Sequence, residues 1–390
     1  MANILRIQVV VFALVAASFT NIYLPQPVLP ILQSEFQISP VQASFSVSFV
    51  IMGIVLSNLF FGYLSDRYPV KPIILTGGVF VAAGGLICSS TGSYTVLVAC
   101  RLLQGLFIPA LTTSIAAWLS RSLPAERLSS VMGAYVSATI FGGMGGRMLG
   151  GWIHPPLHWR YAFVTASAFI LVTVAMAMVV LPASGREEIA AARSSNGRET
   201  YSSLLRKKEL LLIYACGAGS LLIFSPVFNY LPYRLSGAPF NLTTETITLV
   251  YLVYVLGIFL GPLAGKLSSR LGGGVMLIFS SILLGLSLTL LLLPSMTAVI
   301  LGLLGVCAGF FSLHTVAVVL LNRKLTCSHG KANALYVLFY YTGGWLGLTG
   351  AGFAYEHAGW EGVIVFLAIF LVIPLSVGVF ERRVESKARD

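Results

Sequence analysis

The chain has 390 residues, of which 57% are hydrophobic and only 9% are charged, and its mean hydropathy is +0.90. A soluble globular domain carries about 25% charged residues, so this composition excludes that class and indicates a chain that folds within a lipid bilayer. The net charge of +11 does not indicate a nucleic-acid-binding protein, because the basic residues lie in short clusters between apolar runs.

The cysteines predict neither a disulfide framework nor a metal site, because no two of them have CxxC spacing. Four of the five lie in apolar runs, where a cysteine packs as a small apolar residue. They are Cys88, Cys100, Cys216, Cys307 and Cys327.

About twelve apolar segments are long enough to cross a bilayer, which takes about 20 residues of α-helix. The predicted spans are 6–31, 41–63, 72–91, 94–119, 128–152, 159–182, 209–232, 244–265, 273–292, 296–320, 332–354 and 361–380. We expect the first to be a retained helix rather than a cleaved signal peptide, because it runs on through Pro25, Pro27 and Pro30.

One long polar segment, residues 183–208, divides the chain near its middle. The sequence therefore predicts an all-α membrane protein with twelve transmembrane helices in two pseudo-symmetric six-helix bundles. The first bundle comprises residues 1–182, and the second comprises residues 209–390 with a short cytoplasmic tail. The polar segment is predicted to be a cytoplasmic linker.

The basic residues indicate the orientation, because cytoplasmic loops of membrane proteins are enriched in Lys and Arg. With both termini and the linker on the cytoplasmic side, all but four of the 24 Lys and Arg residues are cytoplasmic. Of these four, Arg160 and Arg234 are external, and Arg101 and Arg147 fall within spans. We therefore expect a multi-pass protein of the inner cell membrane with both termini in the cytoplasm.

The two halves of the chain repeat each other. GYLSDR at 62–67 recurs as GKLSSR at 265–270. A second set of matches, at nearly the same offset, pairs Gly142, Gly143, Gly146, Gly151 and Trp159 with Gly343, Gly344, Gly347, Gly352 and Trp360. Such a repeat predicts two bundles related by an axis along the membrane normal, which rock around a central cavity.

The segment GYLSDRYPVKP lies in the short loop between the second and third spans. Gly62 permits close helix approach, while Asp66, Arg67 and Lys71 can bind helix ends and partner charges. Such a conformational latch would favour one access state and break in the other. The alternative is a solvated turn whose charges only set the orientation. The segment resembles the loop signature of the major facilitator superfamily, which implies the fold and the alternating access of that family.

RLLQG at 101–105 lies within the fourth span. An arginine inside a span is costly and usually faces a cavity or a partner, and Gln104 shares its helical face. The stretch resembles the fourth-helix motif of superfamily exporters, which implies a role for Arg101 in proton handling and for Gly105 in helix packing. The alternative is a structural arginine that binds backbone carbonyls.

GGMGGRMLGG at 142–151 lies in the fifth span, where Gly142, Gly146 and Gly150 form a smooth face for tight helix packing. It resembles the antiporter motif of superfamily exporters, but Arg147 stands where that motif has proline. Arg147 is a candidate for coupling or substrate binding, and the alternative is an arginine that snorkels to the outer surface.

None of the thirteen acidic residues falls near the middle of a predicted span. Many proton-coupled exporters resemble one another in having a first-helix carboxylate, and here Asn21 and Gln26 occupy that helix. A proton carrier needs a group that titrates, and His314 is the only histidine well inside a span. The alternative is a hydrogen-bonded core histidine. Glu35 and Glu245, near outer helix ends, are further candidates.

Two intramembrane arginines without a carboxylate favour an anionic or carbonyl-rich substrate. Aromatic residues near the expected cavity can stack a ring-bearing substrate, or else pack the bundle and the membrane interface. They are Tyr23, Tyr230, Tyr254, Tyr340, Tyr341 and Trp345.

The glycines with Arg147, YLPQP at 23–27 and NYLPYRL at 229–235 resemble the YnfM-like efflux branch, in the drug:proton antiporter group. The resemblance implies a secondary active transporter that exports a small solute in exchange for protons. An importer or uniporter of a small anionic solute is the alternative. A membrane-embedded enzyme and a non-transporting sensor are further readings, but no HExxH, GxSxG or GxxxxGK[ST] is present. We expect no enzymatic activity, no cofactor or metal, no nucleic-acid partner and a monomer, with coupling in the first half.

Overall fold

A computed structural model describes residues 2–182, 200–325 and 328–387, and these residues form only helices and their connections. The helices of the first half are α1 (Ala2–Tyr23), α2 (Leu29–Phe36), α3 (Pro40–Ser65), α4 (Val70–Ser90), α5 (Tyr94–Leu111), α6 (Thr113–Ser122), α7 (Ala125–Ile153) and α8 (Trp159–Val180). A short 3₁₀ helix, Gln26–Val28, connects α1 to α2.

The helices of the second half are α9 (Tyr201–Arg206), α10 (Lys208–Ser236), α11 (Thr244–Val250), α12 (Leu256–Leu271), α13 (Gly273–Leu290), α14 (Met296–Arg323), α15 (His329–Phe370) and α16 (Val372–Lys387). A 3₁₀ segment, Tyr251–Val255, joins α11 to α12. Residues 183–199 of the predicted linker and Cys327 lie outside the described residues. The end of that linker is helical, because α9 begins at Tyr201.

The predicted all-α fold with twelve spans is confirmed, although only ten of the described segments are apolar and long enough to cross a membrane when judged by composition. The difference has two causes. Helix α7 is missing from the ten, since its glycine-rich stretch and Arg147 lower its hydropathy. The segment His329–Lys387 counts once, yet its helix is interrupted at Ala358 and at Gly359, where φ is +57°.

Prolines and glycines delimit these helices in the manner that their backbone chemistry requires. Pro40 begins α3, and Pro69 and Pro124 directly precede α4 and α7, where the missing N–H is not needed by the helix. Gly272 joins α12 to α13 with a φ of +96°, which a residue with a side chain rarely adopts.

The described residues divide into two compact units, 2–37 with 45–182, and 38–44 with 200–325 and 328–387. In the first, α1 packs along α7, and α4 packs against α5 and α8. In the second, α10 packs along α15, and α13 packs against α14 and α16. The same packing scheme thus occurs in both halves.

Glycines permit the closest helix contact in each unit. A Cβ atom at Gly142 or Gly146 of α7 would overlap the backbone of Ala16 or Thr20 on α1. In the second unit, a Cβ atom at Gly343 or Gly347 would overlap the backbone of α10 at Ala218 or Leu222. These are the glycines that the sequence repeat pairs, so the repeat in the sequence corresponds to a repeated helix contact.

Candidate functional site

A break in the first transmembrane segment creates the centre of the site. Helix α1 ends at Tyr23, and Pro25 follows within the Leu24–Val28 connection. A proline has no N–H, so the carbonyl of Asn21, four residues earlier, loses its helical donor. A carbonyl left inside a membrane must find another partner, and a side chain from α5 supplies it.

Arg101 of α5 provides this donor and is fully buried. Its Nη1 donates to the Asn21 carbonyl at 2.8 Å, and its Nη2 donates to the Ile22 carbonyl at 2.8 Å. Its Nε donates to the Ser46 carbonyl of α3 at 2.6 Å. One guanidinium therefore ties three helices together through main-chain oxygens, with the negative end of the α1 dipole beside its charge. This geometry matches the structural alternative for Arg101.

Gln104 extends the same network, one helical turn along α5. Its Oε1 accepts a hydrogen bond from Arg101 at 2.7 Å, and its Nε2 donates to the Val81 carbonyl of α4 at 2.9 Å. The Nε2 also lies 3.4 Å from Oδ1 of Asn21. The structure thus brings three of the coupling or substrate candidates into one hydrogen-bonded network: Asn21, Arg101 and Gln104. Gly105 packs against the backbone at Val50.

Arg147 of α7 lies against the same helix break and is fully buried, so its side chain does not snorkel to the surface. Its Nε donates to Oε1 of Gln26 at 2.7 Å, and its Nη1 donates to the Gly143 carbonyl at 2.7 Å. The guanidinium lies 4.2 Å from the ring centroid of Tyr23, in cation–π contact. Tyr23, Gln26 and Arg147 form a second cluster. It lies beside the first, because Tyr23 directly follows Ile22, whose carbonyl Arg101 binds.

His314 of α14 lies in the second unit among aromatic rings, as a hydrogen-bonded histidine. Its Nδ1 is 3.0 Å from the Tyr336 hydroxyl, and its ring centroid is 4.8 Å from that of Tyr340. Phe310 connects this group to Phe224, with which it stacks at 3.7 Å. The geometry matches the alternative of a core histidine.

The remaining predicted aromatics divide between separate groups in the second unit. Tyr254 packs on Phe224 at 5.3 Å, and Tyr341 contacts Tyr340 at 5.3 Å, so both join the His314 group. Tyr230 is fully buried and stacks with Tyr355 instead. Trp345 is half-buried and makes no ring contact with the part of the chain that the structure describes.

The two acidic candidates differ in their surroundings. Glu35 accepts hydrogen bonds from Nε1 of Trp159 at 2.5 Å and from Arg160 at 3.0 Å, so it joins α2 to the start of α8. Glu245 is exposed in the first turn of α11. Within the described ranges, no group of three His, Cys, Asp or Glu side chains could hold a metal ion.

The predicted latch residues have partners within the first unit. Asp66 forms a 2.8 Å ion pair with Arg121 at the end of α6, a residue that sequence reasoning missed. The Arg67 guanidinium lies 4.1 Å from the Tyr63 ring centroid. Lys71 donates to the Met178 carbonyl at 2.8 Å, which lacks a helical donor because Pro182 follows four residues later.

The close helix approach predicted at Gly62 is absent in this structure. Apart from Gly62, its chain neighbours and the adjoining backbone of α3, no atom of the described residues lies within 4 Å of the place where a Cβ of Gly62 would be. The reason is that the contact surface of α3 near its end consists of Phe61, which packs with Ile73 and Ala110, whereas Gly62 points to open space.

The corresponding end of the second unit has a different ion pair, which sequence reasoning also missed. Lys324 is the repeat equivalent of Arg121, at the offset that pairs Gly62 with Gly265. Its Nζ contacts Oε2 of Glu209 at 2.9 Å and Oε2 of Glu381 at 3.1 Å. Burial alone would lower the pKa of Lys324, but its hydrogen bonds to the two carboxylates outweigh burial and raise the pKa.

A family model of the Major Facilitator Superfamily matches residues 11–326 of the chain. The chain therefore belongs to the Major Facilitator Superfamily, and it is a multi-pass membrane transporter. This confirms the family to which the loop signature at 62–72 and the glycine motif at 142–151 pointed.

Among curated proteins, the chain is similar to the inner membrane transport protein YnfM of Escherichia coli strain K12. The two are 30% identical over 374 residues, which cover 96% of this chain and 90% of YnfM. The chain is also 29% identical to the MFS-type transporter YybF of Bacillus subtilis strain 168, over 94% of this chain and 91% of YybF. The resemblance to the YnfM-like branch is therefore confirmed.

Among solved structures, the chain is similar to a bacterial homolog of the human lysosomal transporter Spinster, in an inward-facing and unoccupied conformation. The TM-score is 0.78 at 13% sequence identity, and the match covers 98% of this chain and 96% of the other. At this identity the likeness shows the fold alone.

Proposed function

We propose that this transporter exports a small anionic solute across the inner cell membrane in exchange for protons, by alternating access. The observation that carries the proposal is the cluster of Arg147, Tyr23 and Gln26 at the break in the first transmembrane segment. The name of the relative YnfM supports the inner membrane as its location. The distribution of basic residues supports a cytoplasmic position for both termini.

The choice of an anionic solute rests on the different ways in which the two buried arginines are bound. Arg101 donates its hydrogen bonds to main-chain carbonyls and to Gln104, so it has a structural position. Arg147 instead contacts a side-chain amide, its own helix at the Gly143 carbonyl and the face of the Tyr23 ring, and each of these three contacts is to a neutral group. A substrate carboxylate or phosphate would bind this guanidinium more strongly than they do.

The choice of export rests on the resemblance of RLLQG and the glycine motif to those of superfamily exporters. A solute exported against its gradient needs a second solute that flows inward, and protons are the expected choice in the drug:proton antiporter group. The Asp66–Arg121 ion pair joins the ends of α3 and α6, and the Lys71 contact joins α4 to the end of α8, which suits a latch that holds in one access state and opens in the other.

Proteoliposomes with an imposed pH gradient test the proposal. Purified protein is screened for uptake of labelled organic anions against organic cations of similar size, with internal pH followed by a dye. We expect proton movement opposite to the flux of anions and none with cations. Anion flux without proton movement would contradict the proposal and indicate a uniporter. Movement of protons in the same direction as the anions would contradict it and indicate an importer.

The role of Arg147 is tested in the same assay with Arg147→Lys and Arg147→Met. We expect Arg147→Lys to retain part of the anion flux, since the charge remains, and Arg147→Met to lose it. Arg127→Met is the matched control, because Arg127 is an exposed arginine on the same helix. Equal anion flux in Arg147→Met and in the control would remove Arg147 from the substrate site.

A further inference from the structure

A buried carboxylate at one end of the second unit has no counterpart in the first. Glu381 lies on α16 and is only 1% exposed. Its Oε2 contacts Nζ of Lys324 at 3.1 Å. The offset that pairs Trp159 with Trp360 pairs Glu381 with Val180 of α8. The sequence repeat therefore does not account for this carboxylate.

The single cation Lys324 faces two carboxylates. Its Nζ is 2.9 Å from Glu209 of α10 and 3.1 Å from Glu381 of α16. In the first unit the equivalent Arg121 pairs with Asp66, but the residue equivalent to Asp66 is Ser269, which brings no charge. We call Glu209, Lys324 and Glu381 the acidic triad, and its formal charge is −1 when both carboxylates are ionised.

The second oxygen of Glu381 lacks a donor. Its Oε1 is buried and has no hydrogen-bond partner among the described residues. An ionised oxygen in this position is costly, whereas a proton on Oε1 would neutralise the carboxyl group. The bond between Lys324 and Glu209 would then remain as a balanced pair.

The other groups around Glu381 do not supply the missing charge. Glu385, one turn further along α16, accepts hydrogen bonds from the N–H groups of Gly273 and Gly274 at 2.8 and 3.3 Å, so it engages the positive end of α13. Helix α13 itself has no charged side chain. The Cys216 thiol of α10 is a further titratable neighbour, and a neutral thiol brings no positive charge.

We propose that Glu381 is a proton-binding site of this transporter, with Lys324 and Glu209 controlling its affinity for the proton. A hydronium ion transfers a proton to Oε1 of Glu381 and leaves as water, and the Lys324 ammonium group keeps its three protons. Protonation weakens the Lys324–Glu381 contact, so the link between α14 and α16 depends on pH.

Glu381 gives the proposed proton exchange a specific carboxylate, and the importance of Glu381 for transport rests on the proposed function. Proton binding by Glu381 does not rest on the proposed function. It is measured without a substrate, so the two can fail separately. Proton movement in proteoliposomes that persists in E381Q would end its role in coupling while leaving the proton site intact.

Infrared difference spectroscopy of the full chain in lipid, between mildly acidic and mildly alkaline buffer, tests proton binding. A protonated carboxylic acid has its own carbonyl-stretch band. We expect this band in the wild type and its loss in E381Q. The matched control is E245Q, which changes an exposed carboxylate of the same unit and should retain the band. A band of equal intensity in wild type and E381Q would overturn the proposal.

Two further variants test the control by the triad, and they also decide the matter if E381Q does not fold. E209Q leaves Lys324 to Glu381 alone, so the band should disappear at a pH about one unit lower. K324M removes the cation, so the band should persist to a pH about one unit higher. If Glu381 served only in packing, the pH at which the band is half lost would be the same in both variants as in the wild type. That result, or a shift of both variants in the same direction, would contradict the proposal.

Discussion

The two units share one packing scheme but fill its interior with different chemistry. Where α1 breaks in the first unit, Arg101 and Arg147 bind main-chain carbonyls, an amide and a ring face. In the second unit, α10 continues past the corresponding position, and there Phe224 stacks on Phe310 and packs at a tilt against Tyr254. A repeated backbone therefore does not require a repeated interior.

Prolines explain why both interiors contain polar contacts. Pro25 frees the Asn21 carbonyl, which binds Arg101, and Pro182 frees the Met178 carbonyl, which binds Lys71. In the second unit Pro232 frees the Phe228 carbonyl, to which the Tyr251 hydroxyl donates at 3.0 Å. The first unit satisfies these carbonyls with cations and the second with a neutral hydroxyl, so the same backbone requirement is met by different side chains.

The largest effect is expected from Arg101→Met. It leaves the carbonyls of Asn21, Ile22 and Ser46 without their donor, so the free energy of unfolding should fall by about 3 kcal/mol. Unfolding in mixed micelles titrated with SDS measures it. Phe224→Leu in the second unit should cost less, about 1 kcal/mol. Equal losses in the two variants would break the contrast between an ionic and an aromatic interior.

The glycine contacts sharpen the comparison, because here the two units should agree. Gly142→Ala and Gly343→Ala each force a Cβ atom into the backbone of α1 or α10, so each should cost about 1–3 kcal/mol of unfolding free energy. Gly133→Ala is the control on α7, since no described residue outside its own helix lies within 4 Å of its Cβ position. A loss in only one of the two variants would show that the repeated contact is not equivalent.

Tyr251→Phe tests whether a proline-freed carbonyl in the second unit needs its donor. The variant leaves the buried Phe228 carbonyl without the hydroxyl, so the free energy of unfolding should fall by about 1 kcal/mol. The exposed Tyr68→Phe serves as a control for loss of a hydroxyl. If both variants unfold like the wild type, water or another group satisfies that carbonyl.

The smallest effect on stability is expected from Asp66→Asn. The Asp66 carboxylate is 38% exposed and its partner Arg121 is 20% exposed, so the ion pair should contribute below about 1 kcal/mol. Transport should fall nonetheless if the pair is a latch. The charge-exchanged variant, with Asp66→Arg and Arg121→Asp, should restore part of the flux. Unchanged flux in Asp66→Asn would show that the pair is not a latch and would favour the alternative of a solvated turn.

Much of this fold follows from local patterns in the sequence. Long apolar runs determine the spans, and the internal repeat identifies the α7 and α15 glycines that pack on α1 and α10. The rule that a proline frees the carbonyl one helical turn earlier indicates Asn21 as a binding point. Nothing local indicates that Arg101, three spans further along the chain, is its partner.

The sequence by itself determined the all-helical membrane fold and the repeat, because spans and glycine faces are set by composition and short-range spacing. The superfamily came from the resemblance of its loop and glycine motifs to those of known members. The tertiary structure decided which buried polar groups meet. It brought Arg121 to Asp66, turned Gly62 to open space and buried Glu381 against Lys324, just past the predicted end of its span. These pairings depend on how helices distant in sequence align, and on the need of each buried charge for a partner.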